Sequence, residues 1–199
     1  MIDPKKNNSF EFVKDSLPSG KNYRMFDPLS MDGIHIWDDI LENAKEIYVW
    51  DPFFHSHMDH EFFQSVKTQG VKIEILTLNP SDQRYSHDEL KRKARELRTE
   101  IIKTLERNRI SGYTVTIRGI DQVNFYGKRH GFSTWHDRYL LTDQGVYLMG
   151  SSMNGQLEGT KLYGIHKLEY KEDEEIVKYY YRTYQLKSQN RLYGFFINN

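Results

Sequence analysis

The sequence predicts an α/β domain, a mixed sheet flanked by helices, and three observations carry that reading. Some segments alternate with a period of two, as Val71, Ile73 and Ile75 do against Lys72 and Glu74, which is the pattern of a strand. Others repeat apolar residues three and four apart, as Leu90, Ala94, Leu97, Ile101 and Leu105 do, which is the pattern of a helix with one buried face. The third is a hairpin, Leu140 and Leu141 followed by the turn Asp143-Gln144-Gly145 and then Val146 to Met149, which adds antiparallel strands to an otherwise β-α-β-α-β order. A chain of 199 residues with 38% hydrophobic content supports one core, so the expected organisation is an irregular arm over residues 1–32 and a single domain over residues 33–199.

Taken in order, the arm is polar and broken by Pro4, Pro18, Gly20 and Pro28, which allows at most short extended pieces. Ile34, Trp37, Ile40, Leu41 and Ala44 give a first helix, and Glu46 to Trp50 gives a strand ended by Asp51-Pro52. The C-terminal edge of such a strand is where open α/β sheets hold ligands. Ser56 and Asp59 form a capping box ahead of a helix burying Phe62, Phe63 and Val66 and stopped at Gly70. Val71 to Leu78 is the next strand, Ser86 with Glu89 caps a helix running to about Arg107, and Tyr113 to Ile117 is a third strand. Residues 119–134 read as a glycine-rich loop carrying Lys128, Arg129 and His130. Lys161 to Glu169 reads as a strand, Glu172 to Lys187 as a helix burying Ile176, Val177, Tyr180 and Tyr184, and Leu192 to Ile197 as an aromatic tail able to pair at a sheet edge or with another subunit.

Composition removes several function classes. With no cysteine the chain has no thiol nucleophile, disulfide or cysteine-ligated metal. The first residues, MIDPKKNNSF, lack the apolar core of a signal peptide, and no run approaches a membrane span, so a soluble cytoplasmic protein is expected. Formal charge is balanced overall, but residues 84–118 carry 10 Lys and Arg against 5 Asp and Glu, so any polyanion contact must be local. Lys91, Arg92, Lys93, Arg95, Arg98 and Lys103 share the outer face of the long helix, a solvated surface or one that tracks phosphates.

The chemistry concentrates between Trp135 and Asn154. In an extended strand, residues two apart share a face, so His136 and Arg138 point one way and Asp137 and Tyr139 the other. The hairpin returns Gly150, Ser151, Ser152 and Asn154 beside His136. A histidine nucleophile, a fixed cation and small hydroxyl and amide donors are what phosphodiester cleavage needs.

These residues resemble the HKD signature of the phospholipase D superfamily, H-x-K-x4-D-x6-G-S-x-N, read here as His136, Arg138, Asp143, Gly150, Ser151 and Asn154. Arg138 stands where the family has lysine, and Asn154 lies one position late unless Ser152 takes the serine's place. The resemblance implies a phospholipase D-like half-domain, with His136, Arg138, Ser151 and Asn154 as catalytic residues, Ser152, Lys128 and Arg129 contacting substrate, and Asp143 structural. It implies no cofactor. Catalytic members use two signatures and this chain has one, so it implies a homodimer acting on nucleic acid or another phosphodiester. Single-signature bacterial proteins of this look resemble accessory parts of phage-defence loci. The family's orienting acid near the strand after G-S-x-N has no counterpart, since residues 159–168 contain no acid and only Glu158 and Glu169 flank them. Weak or absent turnover with retained phosphate binding is therefore expected.

A narrower likeness runs through WDPFFHSHMDHEFFQSV, VKIEILT and the later HDR, which is similar to the phospholipase D-like C-terminal domain of MIT-domain proteins. That branch is viewed as a set of binding modules for membrane phosphoinositides, so peripheral membrane contact and a larger protein partner stay open. The run His55, His57, Asp59 and His60 also resembles the zinc motif of metallo-β-lactamase-fold hydrolases, but Glu61-Phe62-Phe63 replaces the family's glycine pair and its later metal aspartate has no match. The expected metal content is none.

Overall fold

The computed structural model describes residues 23–26, 33–52, 60–79, 86–121, 137–150, 163–190 and 194–198. The strands are β1 (Tyr23–Phe26), β2 (Glu46–Trp50), β3 (Lys72–Asn79), β4 (Thr114–Asp121), β5 (Arg138–Thr142), β6 (Gly145–Met149), β7 (Tyr163–Lys167) and β8 (Gly194–Ile197). The helices are α1 (Gly33–Leu41), α2 (His60–Gln64), α3 (His87–Arg107) and α4 (Lys171–Lys187). The strands form one sheet in the order β1-β7-β6-β5-β2-β3-β4-β8. Helical crossovers make β2, β3 and β4 parallel, while the short turn at Asp143 forces β5 and β6 antiparallel. The expected class, a mixed sheet flanked by helices, is the one observed.

The period-two pattern splits the side chains between two cores. Ile47, Val49, Ile73, Ile75, Val115, Ile117 and Leu140 pack under α1, α2 and α3, together with Trp37, Phe63, Ile101 and Leu105. Trp50, Leu76, Ile120, Leu141 and Val146 face the other way, against Val177 and Tyr181 of α4. Each large aliphatic side chain so enclosed contributes about 1.5–3 kcal/mol, which is why the two layers dominate the stability of the domain. Ser86 caps α3 as its sequence indicates, its Oγ accepting from the Glu89 backbone N–H at 3.2 Å.

The structure corrects the sequence reading at several elements. In α4 the buried residues are Val177 and Tyr181, whereas Ile176 and Tyr180 are 55% and 52% exposed. Glu74, on the polar side of the β3 alternation, is buried because α4 lies over it. Tyr181 Oη and Gln185 Nε2 donate to Glu74 Oε1 at 2.9 and 2.6 Å, and Arg118 Nε sits 3.0 Å from the same oxygen. This polar cluster selects which face of α4 turns inward. β4 runs through Gly119 to Asp121, where a loop was expected, because β8 pairs along it antiparallel. Gly119 is required there: a Cβ would lie 2.3 Å from the Phe195 ring. The N-terminal arm supplies β1, which pairs with β7 at the sheet edge.

Candidate functional site

The hairpin sets the geometry. β2 and β3 end at the same edge of the sheet, and β5, antiparallel to β2, begins there, with Trp50 opposite Tyr139 and Arg138 opposite Met149. Arg138 is therefore carried to the ligand-binding edge of an α/β sheet by strand pairing alone. Tyr139 projects to the opposite face, where its ring lies 5.4 Å from Trp50.

Arg138 meets an acid that motif reasoning overlooked. Asp51, immediately after β2, is fully enclosed, and its Oδ1 lies 3.8 Å from Arg138 Nε, an ion-pair distance longer than a hydrogen bond. The Asp51 backbone N–H donates to the Leu76 carbonyl at 3.1 Å, which fixes this carboxylate to the end of β3. The sequence signal was the Asp51-Pro52 pair that ends a strand at the ligand edge, read there only as a stop.

Gly150 ends β6 at the same edge. Its N–H donates to the Gly164 carbonyl at 2.8 Å, and a Cβ on it would stand 3.1 Å from the Gly164 backbone N and O. The glycine of the signature is thus explained by close approach of β6 and β7.

Asp143 sits at the far end of β5 from Arg138, in the turn. Its Oδ1 accepts from the backbone N–H groups of Lys45 at 2.9 Å and Glu46 at 3.3 Å, tying the hairpin to the start of β2. No chemistry at Arg138 reaches it.

His136, Ser151, Ser152, Asn154, Lys128, Arg129, His55, His57 and Asp59 lie outside the described residues, and His60 opens α2. The structure thus brings together Arg138, Asp51 and Gly150 and separates Asp143 from them. Among the described residues, no group of three or more acids and histidines is placed to hold a metal ion, and no helix is long and apolar enough to cross a membrane.

A cavity of about 360 Å³ lies toward the opposite end of the strands, under the middle of α4, lined by Tyr48, Lys72, Thr142, Asp143, Lys178 and Tyr181 among others. Lys72 Nζ donates to Tyr48 Oη at 2.9 Å. That bond holds the Lys72 ammonium above its ordinary range, while burial pushes the Tyr48 hydroxyl up. The cavity mixes acids and bases, and Arg138 is not among the residues that line it.

No protein-family model and no curated protein matches the sequence. Among solved structures the chain is similar to NucT from Helicobacter pylori, with 13% identity, 82% of this chain and 94% of that chain covered, and a TM-score of 0.49. It is similar to Nuc from Salmonella typhimurium, a phospholipase D family member, with 9% identity, 82% and 91% coverage, and a TM-score of 0.47. It is also similar to TrmBL2, an archaeal chromatin protein whose structure is described as showing a novel mode of DNA binding, with 14% identity, 85% and 53% coverage, and a TM-score of 0.38.

Proposed function

We propose that the chain is a phospholipase D-like, phosphodiester-binding protein in which His136, Arg138, Ser151 and Asn154 hold the phosphate and turnover is weak or absent. The observation that carries this reading is the placement of Arg138 at the ligand edge of the sheet, paired with the enclosed Asp51. Arg138 presents a planar set of donors suited to phosphate oxygens. Asp51 limits where that guanidinium can go, which favours a fixed binding geometry over a mobile cation.

Hydrolysis by this signature takes an imidazole that attacks phosphorus and a second that protonates the leaving oxygen. One chain supplies one, so turnover requires two copies with both His136 side chains in a shared cleft. The nucleophile also needs its other ring nitrogen held by an acceptor, and the stretch that does this in the family carries no acid here. Binding without efficient cleavage follows.

The test measures binding of single-stranded DNA by fluorescence anisotropy, together with cleavage of that DNA and of a generic phosphodiester. Wild type should bind with a steep salt dependence and cleave slowly or not at all, and the His136→Ala, Arg138→Ala double variant should lose most of the affinity. Equal binding by the two proteins refutes the site. Robust cleavage abolished by His136→Ala shows an active enzyme instead.

A further inference from the structure

We infer that the cavity under α4 is a binding site for a free α-amino acid with an apolar or aromatic side chain. This rests on the cavity alone and not on the phosphate site. Its volume of about 360 Å³ is at the small end for ligand sites, and at about 30 Å³ per water-sized atom it admits about a dozen heavy atoms. That is the size of leucine or phenylalanine, and a nucleotide is too large for it.

The lining identifies the ligand by the groups it leaves unengaged. Three cations, Lys72, Lys178 and Arg182, and three acids, Glu46, Asp143 and Glu175, line the cavity, so its formal charge is zero and a bare polyanion finds no net attraction there. Most of these charges are engaged within the protein. Lys178 Nζ donates to Glu174 Oε2 at 3.2 Å and to Glu175 Oε1 at 3.3 Å. Lys72 Nζ donates to Tyr48 Oη at 2.9 Å and lies 3.9 Å from Glu46 Oε1. The uncharged polar side chains are engaged as well: Tyr181 and Gln185 both donate to Glu74, and the Thr142 hydroxyl donates to the Gly145 carbonyl.

Two charged groups remain. Among the described residues Arg182, on α4, has no hydrogen-bond or ion-pair partner, which leaves its guanidinium donors open to a ligand. Asp143 supplies the other group: its Oδ1 accepts from the Lys45 and Glu46 backbone N–H groups, which fixes the carboxylate, and its Oδ2 accepts no bond among the described residues. A cation on the helix and a carboxylate oxygen on the hairpin turn, with no ion pair joining them, match the carboxylate and the ammonium of one zwitterion. The arginine fork takes a carboxylate through two parallel N–H···O bonds, and an ammonium is a compact donor suited to a single carboxylate oxygen. Tyr48, Tyr181 and Leu141 add apolar surface to the same cavity, which favours a leucine-like or phenylalanine-like side chain over a polar one.

Isothermal titration of the full chain with phenylalanine and with leucine tests the site, with circular dichroism melts to confirm that each variant is folded. Wild type should bind at least one of the two with a Kd of about 1 mM or tighter, the range open to a ligand of about a dozen atoms. The deaminated and the decarboxylated analogues of that amino acid should each bind at least about fivefold more weakly, the size of a solvent-screened, charge-assisted bond. Arg182→Gln, at an exposed position, should weaken amino-acid binding by about fivefold, and so should Asp143→Asn, which keeps the oxygen bonded to Lys45 and Glu46 but removes the charge. Arg182→Gln decides alone if Asp143→Asn melts below the titration temperature. No binding of either amino acid at about 10 mM overturns the inference, as does binding indifferent to either substitution. A deaminated analogue or adenosine monophosphate that binds as tightly as the amino acid makes the cavity a plain anion site and overturns it too.

Discussion

Asp143 belongs to the HKD-like signature by spacing, yet its carboxylate binds the backbone of Lys45 and Glu46 at the end of β5 remote from Arg138. Asp143→Ala should therefore cost stability and spare phosphate binding. Two bonds to a carboxylate are lost, but the site is exposed and water takes over part of the solvation, so the net loss is about 1–2 kcal/mol, comparable with removing a helix cap. For a domain of this size each kcal/mol moves the melting temperature by about 2–4 °C, which sets the expected drop at about 2–8 °C. Asp143→Asn keeps the accepting oxygen and should recover at least half of the loss. Urea denaturation at fixed salt gives the stability, and anisotropy with single-stranded DNA, at a temperature where every variant is folded, gives the affinity. An Asp143→Ala protein that melts like wild type but has lost its affinity would refute the structural assignment.

The Glu74 cluster makes a sharper stability prediction: Glu74→Ala should cost about 3–5 kcal/mol because it leaves Arg118 enclosed without its carboxylate, whereas Glu74→Leu combined with Arg118→Met should cost less than half of that. Burial first, and the Glu74 carboxylate second, raise the Tyr181 hydroxyl well above its ordinary value of 10.0. The folded state then holds that proton more tightly than the unfolded chain, so stability is level below about pH 10 and falls above it; denaturation at about pH 9 and pH 11 should show a smaller fall for Tyr181→Phe. Asp51→Asn should lower stability by about 1–3 kcal/mol while strengthening DNA binding at low salt, a gain that vanishes at high salt; weaker binding at every salt concentration would mean that Asp51 acts by placing Arg138. Gly150→Ala should destabilise the fold by at least about 1 kcal/mol, since the Gly164 backbone it meets cannot rotate away as a side chain does; an unchanged melt refutes the close-approach explanation.

Elements whose partner is local were legible in the sequence. The β5–β6 hairpin is specified by apolar runs around Asp143-Gln144-Gly145, and the start of α3 by the Ser86 hydroxyl reaching Glu89, so neighbouring residues suffice to define both. The inward face of α4 was not legible for a geometric reason. Successive helical residues turn by about 100°, so three consecutive tyrosines sample both faces and leave no period to read. The buried Glu74 and the Tyr48 and Trp50 rings, all far away in sequence, hold Tyr181 inward while Tyr180 stays exposed. Gly119 misled in the same way: it reads as a loop residue, but its missing side chain makes room for Phe195 of an edge strand contributed by the far end of the chain.

The candidate site divides along the same line. The identity of Arg138 and its position at the head of a strand follow from the motif, because spacing within one hairpin fixes register. Its pairing with Asp51 does not, because it arises from β5 lying antiparallel beside β2, a contact between segments that no local pattern joins. That pairing changes what the motif means. With Asp51 beside Arg138 the acid offsets part of the cation's charge, so on the proposed reading other cations would add to the attraction for a phosphate. On the proposed reading the guanidinium would then contribute directional donors more than field, and a phosphate would be selected by its geometry before its charge.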